Sequence, residues 1–203
     1  MKGIKSVATC GVSKFGITFY KIYSIVMYVC WAIILFLFVF RGAYRYYAFP
    51  VRYRTEVVCA AKEFDVDCAL VFAVIKVESG FDKNALSRAG SMGLMQLQAE
   101  TADFVAFRLG VGKYDLYDAK TNIRFGCYYL KYLFNKFDNQ KTVLAAYNAG
   151  EGNVKQWLQK KEYSDDGVML KTIPYSETAD YVKKIEKSLI KYKKLYGNIL
   201  DKR

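Results

Sequence analysis

Nineteen consecutive residues without a charge, Ile22 to Phe40, divide this 203-residue chain into two unlike parts. The run reads IYSIVMYVCWAIILFLFVF, and at about 1.5 Å per residue a helix of that length crosses a hydrocarbon core of roughly 30 Å. Lys14 and Lys21 precede it, and Arg41 and Arg45 follow. Tyr20, Tyr23, Tyr44, Tyr46 and Tyr47 suit interfacial belts at its ends. A cleaved signal peptide would have a shorter apolar region, and Arg41-Gly42-Ala43 is a poor small-x-small cleavage site. The run therefore reads as a signal anchor. Charge does not orient it: Lys2, Lys5, Lys14 and Lys21 lie before the span, and Arg41, Arg45, Arg52 and Arg54 lie after it.

Beyond Pro50 the pattern is helical throughout, with short breaks and no convincing period-two alternation. Expected helices run over 52–64, 68–79 with Asp67 as N-cap, 100–109 ending at Gly110, and 119–137 capped by Asp118. Two short helices, 142–148 and 153–159, flank Gly150 and Gly152. A long terminal helix follows Pro174, over 176–196, and is expected to stop at Gly197. The fold class is all-α. The expected organisation is a short basic tail (1–21), the span (22–41), a linker (42–54), one helical domain (55–190) and a basic C-terminal tail (191–203).

Net charge is +12, but it sits at the two ends. Residues 1–54 hold eight basic residues and no acid; residues 183–203 hold eight against Glu186 and Asp201; the body between them is −2. That distribution argues against a nucleic-acid binder, whose binding face would be broadly positive. It points instead to an anionic surface, either membrane lipid or wall polymer. The chain has no His, which removes the usual base of nucleophilic triads and the commonest metal ligand. Its five Cys form no CxxC pair, so no metal pattern arises and no cofactor is expected. A Cys59–Cys68 bridge stays open beside free thiols.

One acid stands out. At about 100° per residue, Glu78 falls within roughly 20° of Val71 on the apolar stripe of the run 70–79. It also lies in the last helical turn, where the macrodipole favours cations. Burial and dipole both disfavour the charged form, so its pKa should be raised, as a general acid requires. Three further stretches carry polar residues in unexpected places. Gly93-Leu94-Met95-Gln96 suits a backbone passing close to a ligand. Ala146-Tyr147-Asn148 sets polar groups in a small apolar turn. Ile173-Pro174-Tyr175-Ser176-Glu177-Thr178 opens the last helix.

Taken in order, Glu78-Ser79, the Gly93–Gln96 stretch, Ala146–Asn148 and the 173–178 stretch resemble the catalytic domain of soluble lytic transglycosylases of bacterial cell walls. Those enzymes share a lysozyme-like fold with goose-type lysozyme. The resemblance covers about 55–190. It implies that Glu78 is the catalytic acid/base and that Ser87 and Gln96 line a glycan cleft. It also implies that the Tyr147 hydroxyl lies beside the catalytic carboxyl with support from Asn148, and that Glu177 is a second cleft-wall carboxylate that is not a nucleophile. The family usually follows its Gln with an apolar residue, Met and Pro. Here Leu97 is followed by Gln98 and Ala99, so Gln98 stands where a Met would pack against a sugar ring.

The implied partner is peptidoglycan. The implied reaction cleaves the β-1,4 bond between N-acetylmuramic acid and N-acetylglucosamine and leaves a 1,6-anhydromuramoyl end. A muramidase using Glu78 and water, and a non-catalytic wall-binding protein, are the alternatives. The eighteen Tyr fit a sugar-binding cleft, since aromatic faces pack on pyranose rings. Murein lies outside the cytoplasmic membrane, so the domain is expected outside, with the membrane crossed once and residues 1–21 inside.

Overall fold

The computed structural model describes residues 14–200, with side chains over 19–197. Most of the expected tail 1–21, and residues 201–203 of the C-terminal tail, lie outside it. Eight helices and no strands occur among the described residues. The chain divides into two compact units, one ending at Ala48 and one beginning at Phe49.

The first unit is a single helix, α1 (Lys14–Ala48). Its segment 19–48 is apolar and long enough to cross a membrane, with its side chains exposed. Residues 42–48, expected as linker, continue this helix because they contain no Pro and only one Gly.

The second unit holds α2 (Arg54–Phe64), α3 (Cys68–Glu78), α4 (Ala99–Leu109), α5 (Ala119–Phe134), α6 (Gln140–Ala149), α7 (Glu151–Leu158) and α8 (Ser176–Leu200). Asp67 caps α3 through a 2.8 Å bond from the Ala69 amide. Asp118 caps α5 through Thr121 N–H. α3 is the central helix: its residues 69–75 are all buried. It packs chiefly against α8, while α2 packs against α5.

α3 and α8 run antiparallel. Glu78 at the end of α3 meets Tyr181 near the start of α8. Phe72 stacks on Tyr192 at 5.6 Å, and Asp67 at the start of α3 pairs with Lys193 at 2.8 Å. The Tyr192 and Tyr196 hydroxyls donate to the Pro50 and Phe49 carbonyls, which ties the beginning of this unit to the end of α8. α8 does not stop at Gly197 but continues to Leu200. Glycine permits a left-handed cap without imposing one, and Gly197 does not take a positive φ. The helix 119–137 is likewise shorter than expected, with Asn135 as its C-cap. Cys30, Cys59, Cys68 and Cys127 are free thiols; Cys10 lies outside the described residues.

Candidate active site

Glu78 is the last residue of α3, and Ser79 its C-cap. The Ser79 hydroxyl donates to the Leu94 carbonyl at 2.8 Å and accepts from the Phe81 amide at 3.2 Å. The helix end is thereby joined to the Gly93–Gln96 turn, which gives a structural reason for Ser to follow the acid. The turn is held from beneath by Asn122 of α5, which is fully buried. Its carbonyl oxygen accepts from the Met95 amide at 2.8 Å, and its NH2 donates to the Met92 and Leu116 carbonyls at 2.9 Å each. Gly93 has φ +77, and a Cβ there would strike the Asn122 amide and the Leu116 carbonyl. Glycine is thus required at this position on two grounds. Gln96 takes φ +49, an uncommon conformation for a side-chain-bearing residue. Its NH2 donates to the Ala85 and Gly93 carbonyls at 3.1 and 2.8 Å, leaving its oxygen as the free acceptor.

These elements frame a cleft of about 220 Å³ lined by Glu78, Ser91, Gln96, Gln98, Tyr129, Tyr147, Asn148 and Gly150, among others. Glu78 is the only carboxylate among the lining residues. The carboxyl is half-buried, and its pKa is raised from 4.5 to about 7; burial is the main cause, offset in part by a hydrogen bond from Tyr181. The Tyr181 hydroxyl donates to Glu78 Oε1 at 2.6 Å. Burial pushes the pKa of both Tyr181 and Tyr147 well up, so both remain neutral hydroxyl donors.

Five of the seven sequence-derived residues therefore meet at one cleft: Glu78, Gln96, Gln98, Tyr147 and Asn148. Gln98 is the N-cap of α4 but makes no capping bond, and it is exposed, so its amide is available to a ligand. Tyr147 lines the cleft with Glu78 and its hydroxyl donates to the Met95 carbonyl at 2.9 Å; the hydroxyl bonded to the acid is that of Tyr181. Asn148 accepts from the Thr178 hydroxyl at 2.7 Å, which joins the end of α6 to the start of α8. Ser87 and Glu177 are not among the lining residues. The Ser87 hydroxyl accepts from the Ser91 amide, and it is Ser91 that lines the cleft. Glu177 is exposed in the first turn of α8.

Tyr181, Tyr129 and Asn122 are absent from the expected set. Tyr181 lies on the apolar stripe of α8 with Val182, Ile185 and Leu189, where a Tyr reads as core; its partner is 103 residues away. Tyr129 packs at 5.5 Å against Tyr147 and extends the aromatic wall along α5.

The family model described as transglycosylase SLT domain matches residues 57–169. This chain belongs to the transglycosylase SLT family. Similar members include the soluble lytic murein transglycosylase of Salmonella typhimurium, 32% identical over 143 residues that cover 68% of this chain and 22% of that protein. The membrane-bound lytic murein transglycosylase C of Edwardsiella ictaluri is 32% identical over 117 residues, 51% of this chain and 32% of that one. Among solved structures, the lytic transglycosylase Slt of Pseudomonas aeruginosa, in an inactive mutant form carrying Gln for Glu, aligns with TM-score 0.66 at 32% identity, covering 74% of this chain and 25% of that one. The 70 kDa soluble lytic transglycosylase of Escherichia coli aligns with TM-score 0.64 at 28% identity, covering 73% and 25%. The lysozyme-like, all-helical fold of the SLT family is thus the fold of this chain. The chain spans about a fifth of the length of the soluble relatives it matches.

The bond from Tyr181 lowers the pKa of Glu78 against the upward push of burial. Removing it by Tyr181→Phe should raise that pKa further, which an NMR titration of the Glu78 carboxyl reads. An unshifted titration would mean that this hydroxyl does not govern the acid.

Proposed function

We propose that this SLT-family chain is a membrane-anchored peptidoglycan lytic transglycosylase with Glu78 as its single acid/base. The observation that carries the proposal is the pairing of that one cleft carboxyl with a pKa of about 7. Near neutral pH such a group exists in both protonation states, as a residue that first gives and then retakes a proton requires. Glycosidases that hydrolyse through two carboxylates need a second acid flanking the bond. None lines this cleft among the described residues.

Tyr181 occupies Oε1, leaving Oε2 to carry the proton toward the substrate. Neutral Glu78 donates it to the oxygen bridging N-acetylmuramic acid and N-acetylglucosamine, and the glycosidic C1–O bond breaks. Positive charge develops at the muramoyl C1, where the substrate's own 2-acetamido group stabilises it. Fixed dipoles of the cleft, the Gln96 oxygen among them, assist. The Glu78 carboxylate, now stabilised by Tyr181, takes the proton of the same sugar's C6 hydroxyl, and O6 closes on C1. Intramolecular attack has a high effective molarity, so no positioned water is needed. Proton bookkeeping closes: Glu78 ends protonated, as it began. Ser91, Gln98 and Asn148 are the proposed polar contacts to the glycan, with Tyr129 and Tyr147 as its aromatic wall.

α1 is proposed to hold the domain on the outer face of the cytoplasmic membrane. Its length and apolarity support an anchor, as does the presence of membrane-bound forms among the named relatives; the outer side follows from where murein lies. Digestion of purified murein by the full chain in detergent, followed by mass analysis of the muropeptides, tests the proposal. The expected products are lighter by one water than reducing-end muropeptides. Reducing ends throughout would indicate hydrolysis, and no release would indicate a binding protein.

A further inference from the structure

We propose that an exposed basic stripe on α8 docks on anionic phospholipid headgroups and lays the domain against the membrane that α1 crosses. The proposal rests on the reading of α1 as a membrane span. At about 100° per residue, Lys183, Lys187, Lys191 and Lys194 fall within roughly 100° of arc around α8. All four are exposed. At the edge of this arc, between Lys187 and Lys191 in sequence, Ile190 is 66% exposed, an apolar side chain that nothing in the fold covers. Lys187, Lys191 and Lys194 form no ion pair among the described residues, and Lys183 reaches only Asp180, at 3.7 Å. The opposite face of the helix is occupied by the core, through Val182, Ile185, Leu189 and Tyr192. The stripe is therefore free charge on a rigid element.

Its position in the chain selects the partner. The Tyr196 and Tyr192 hydroxyls bind the carbonyls of Phe49 and Pro50, the first two residues after α1. The charge-free run ends at Phe40, and a helix from there to Phe49 rises about 13 Å. Lysine side chains add several ångströms of reach, and the Debye length in physiological salt is about 8 Å. The C-terminal half of α8 is thus within covalent reach of headgroup charge, whatever the orientation of the two units. Ile190 separates lipid from a soluble wall polymer as the partner. An apolar chain among lysines suits a headgroup–acyl boundary, where the cations stay at the phosphates and the apolar group inserts. A polyanion in water offers no apolar phase. Tyr181, which holds Glu78, lies roughly 130° around the helix from the centre of the stripe, so docking leaves the cleft open.

The test uses the full chain reconstituted in vesicles of phosphatidylcholine alone, or of phosphatidylcholine and phosphatidylglycerol in equal parts. Lysine acetylation rates are read site by site by mass spectrometry. Lys187, Lys191 and Lys194 should react about fivefold more slowly on the anionic vesicles, the factor expected of one lysine at such a surface. High salt should restore the rates, and Lys155 on α7 should not change. The combined variant Lys187→Gln, Lys191→Gln, Lys194→Gln should keep its murein-cleaving activity in detergent, and in that variant Lys183 should lose its protection. Equal rates on the two vesicles, with the protein floating on both, would overturn the proposal. So would protection by a soluble anionic wall polymer but not by phosphatidylglycerol. Failure to float with neutral vesicles would overturn the anchor reading itself, and the docking proposal with it.

Discussion

Glu78→Gln is expected to abolish murein cleavage and, at pH 8, to make the protein more stable than the wild type. The loss of activity follows from the loss of the proton: an amide of the same shape fills the site but can neither donate nor retake it. A positioned acid/base contributes about 10²–10⁴-fold, and here one group serves both steps, so the loss should lie at or beyond the top of that range. The gain in stability follows from linkage. The carboxyl titrates at about 7 in the folded protein against an ordinary value of 4.5. Between those two values the folded state holds a proton that the unfolded state has released, so stability falls as pH rises through the window and levels off above it. The cost at pH 8 is about 3 kcal/mol. Gln carries no charge at any pH and still accepts from Tyr181, so the variant escapes this cost. Denaturation curves of the two proteins should coincide below the ordinary carboxyl pKa and separate progressively up to neutrality. A variant no more stable than wild type at pH 8 would show that the site does not penalise the carboxylate.

The second large effect is expected at Asn122. It contacts no substrate in the proposed scheme, yet its side chain makes three hydrogen bonds that hold 92–95 and 116 together. Asn122→Ala leaves the Met95 amide and the Leu116 carbonyl without their partner, while the Met92 carbonyl keeps only the Leu97 amide. An unsatisfied buried group costs about 1–3 kcal/mol, and with some relaxation the total should reach roughly 3–5 kcal/mol. Urea denaturation measures it. Cleavage should fall as well, since Gln96 and the Ser79–Leu94 link both depend on this turn. Gly93→Ala should act in the same direction, because its methyl group would meet the Asn122 amide and the Leu116 carbonyl. A stability change under 1 kcal/mol at Asn122 would contradict the role assigned to it.

Glu78 was legible in the sequence because it violates two local rules at once: a carboxylate on an apolar stripe, and an acid at a helix C-terminus. The caps Asp67 and Asp118 were legible because a cap is a local bond, made within two or three residues. Tyr181 and Asn122 obey local expectation or barely offend it. A Tyr on an apolar face looks like core, and an Asn in a helix looks like surface. Both acquire their roles from partners far along the chain, 103 residues away for Tyr181 and 27 for Asn122. Tyr147 lines the cleft with Glu78, and its own hydroxyl bond goes to the Met95 carbonyl. Which hydroxyl bonds to the acid is decided by the antiparallel pairing of α3 and α8. Ser87 and Glu177 were expected in the wall on resemblance to the family. The Ser87 hydroxyl accepts from the amide of Ser91, which lines the cleft, and Glu177 is exposed at the start of α8. Gly197 shows the limit of a composition rule, since a glycine marks a helix end only where the chain turns left-handed there.

In the proposed reaction O6 of the sugar, not water, captures the muramoyl carbon after Glu78 has protonated the bond. Digestion of purified murein in water enriched in oxygen-18 tests it directly. Muramoyl ends released by the wild type should carry no heavy oxygen and should be one water lighter than reducing ends. Reducing ends bearing one heavy oxygen each would contradict the claim and make Glu78 the acid of a hydrolase.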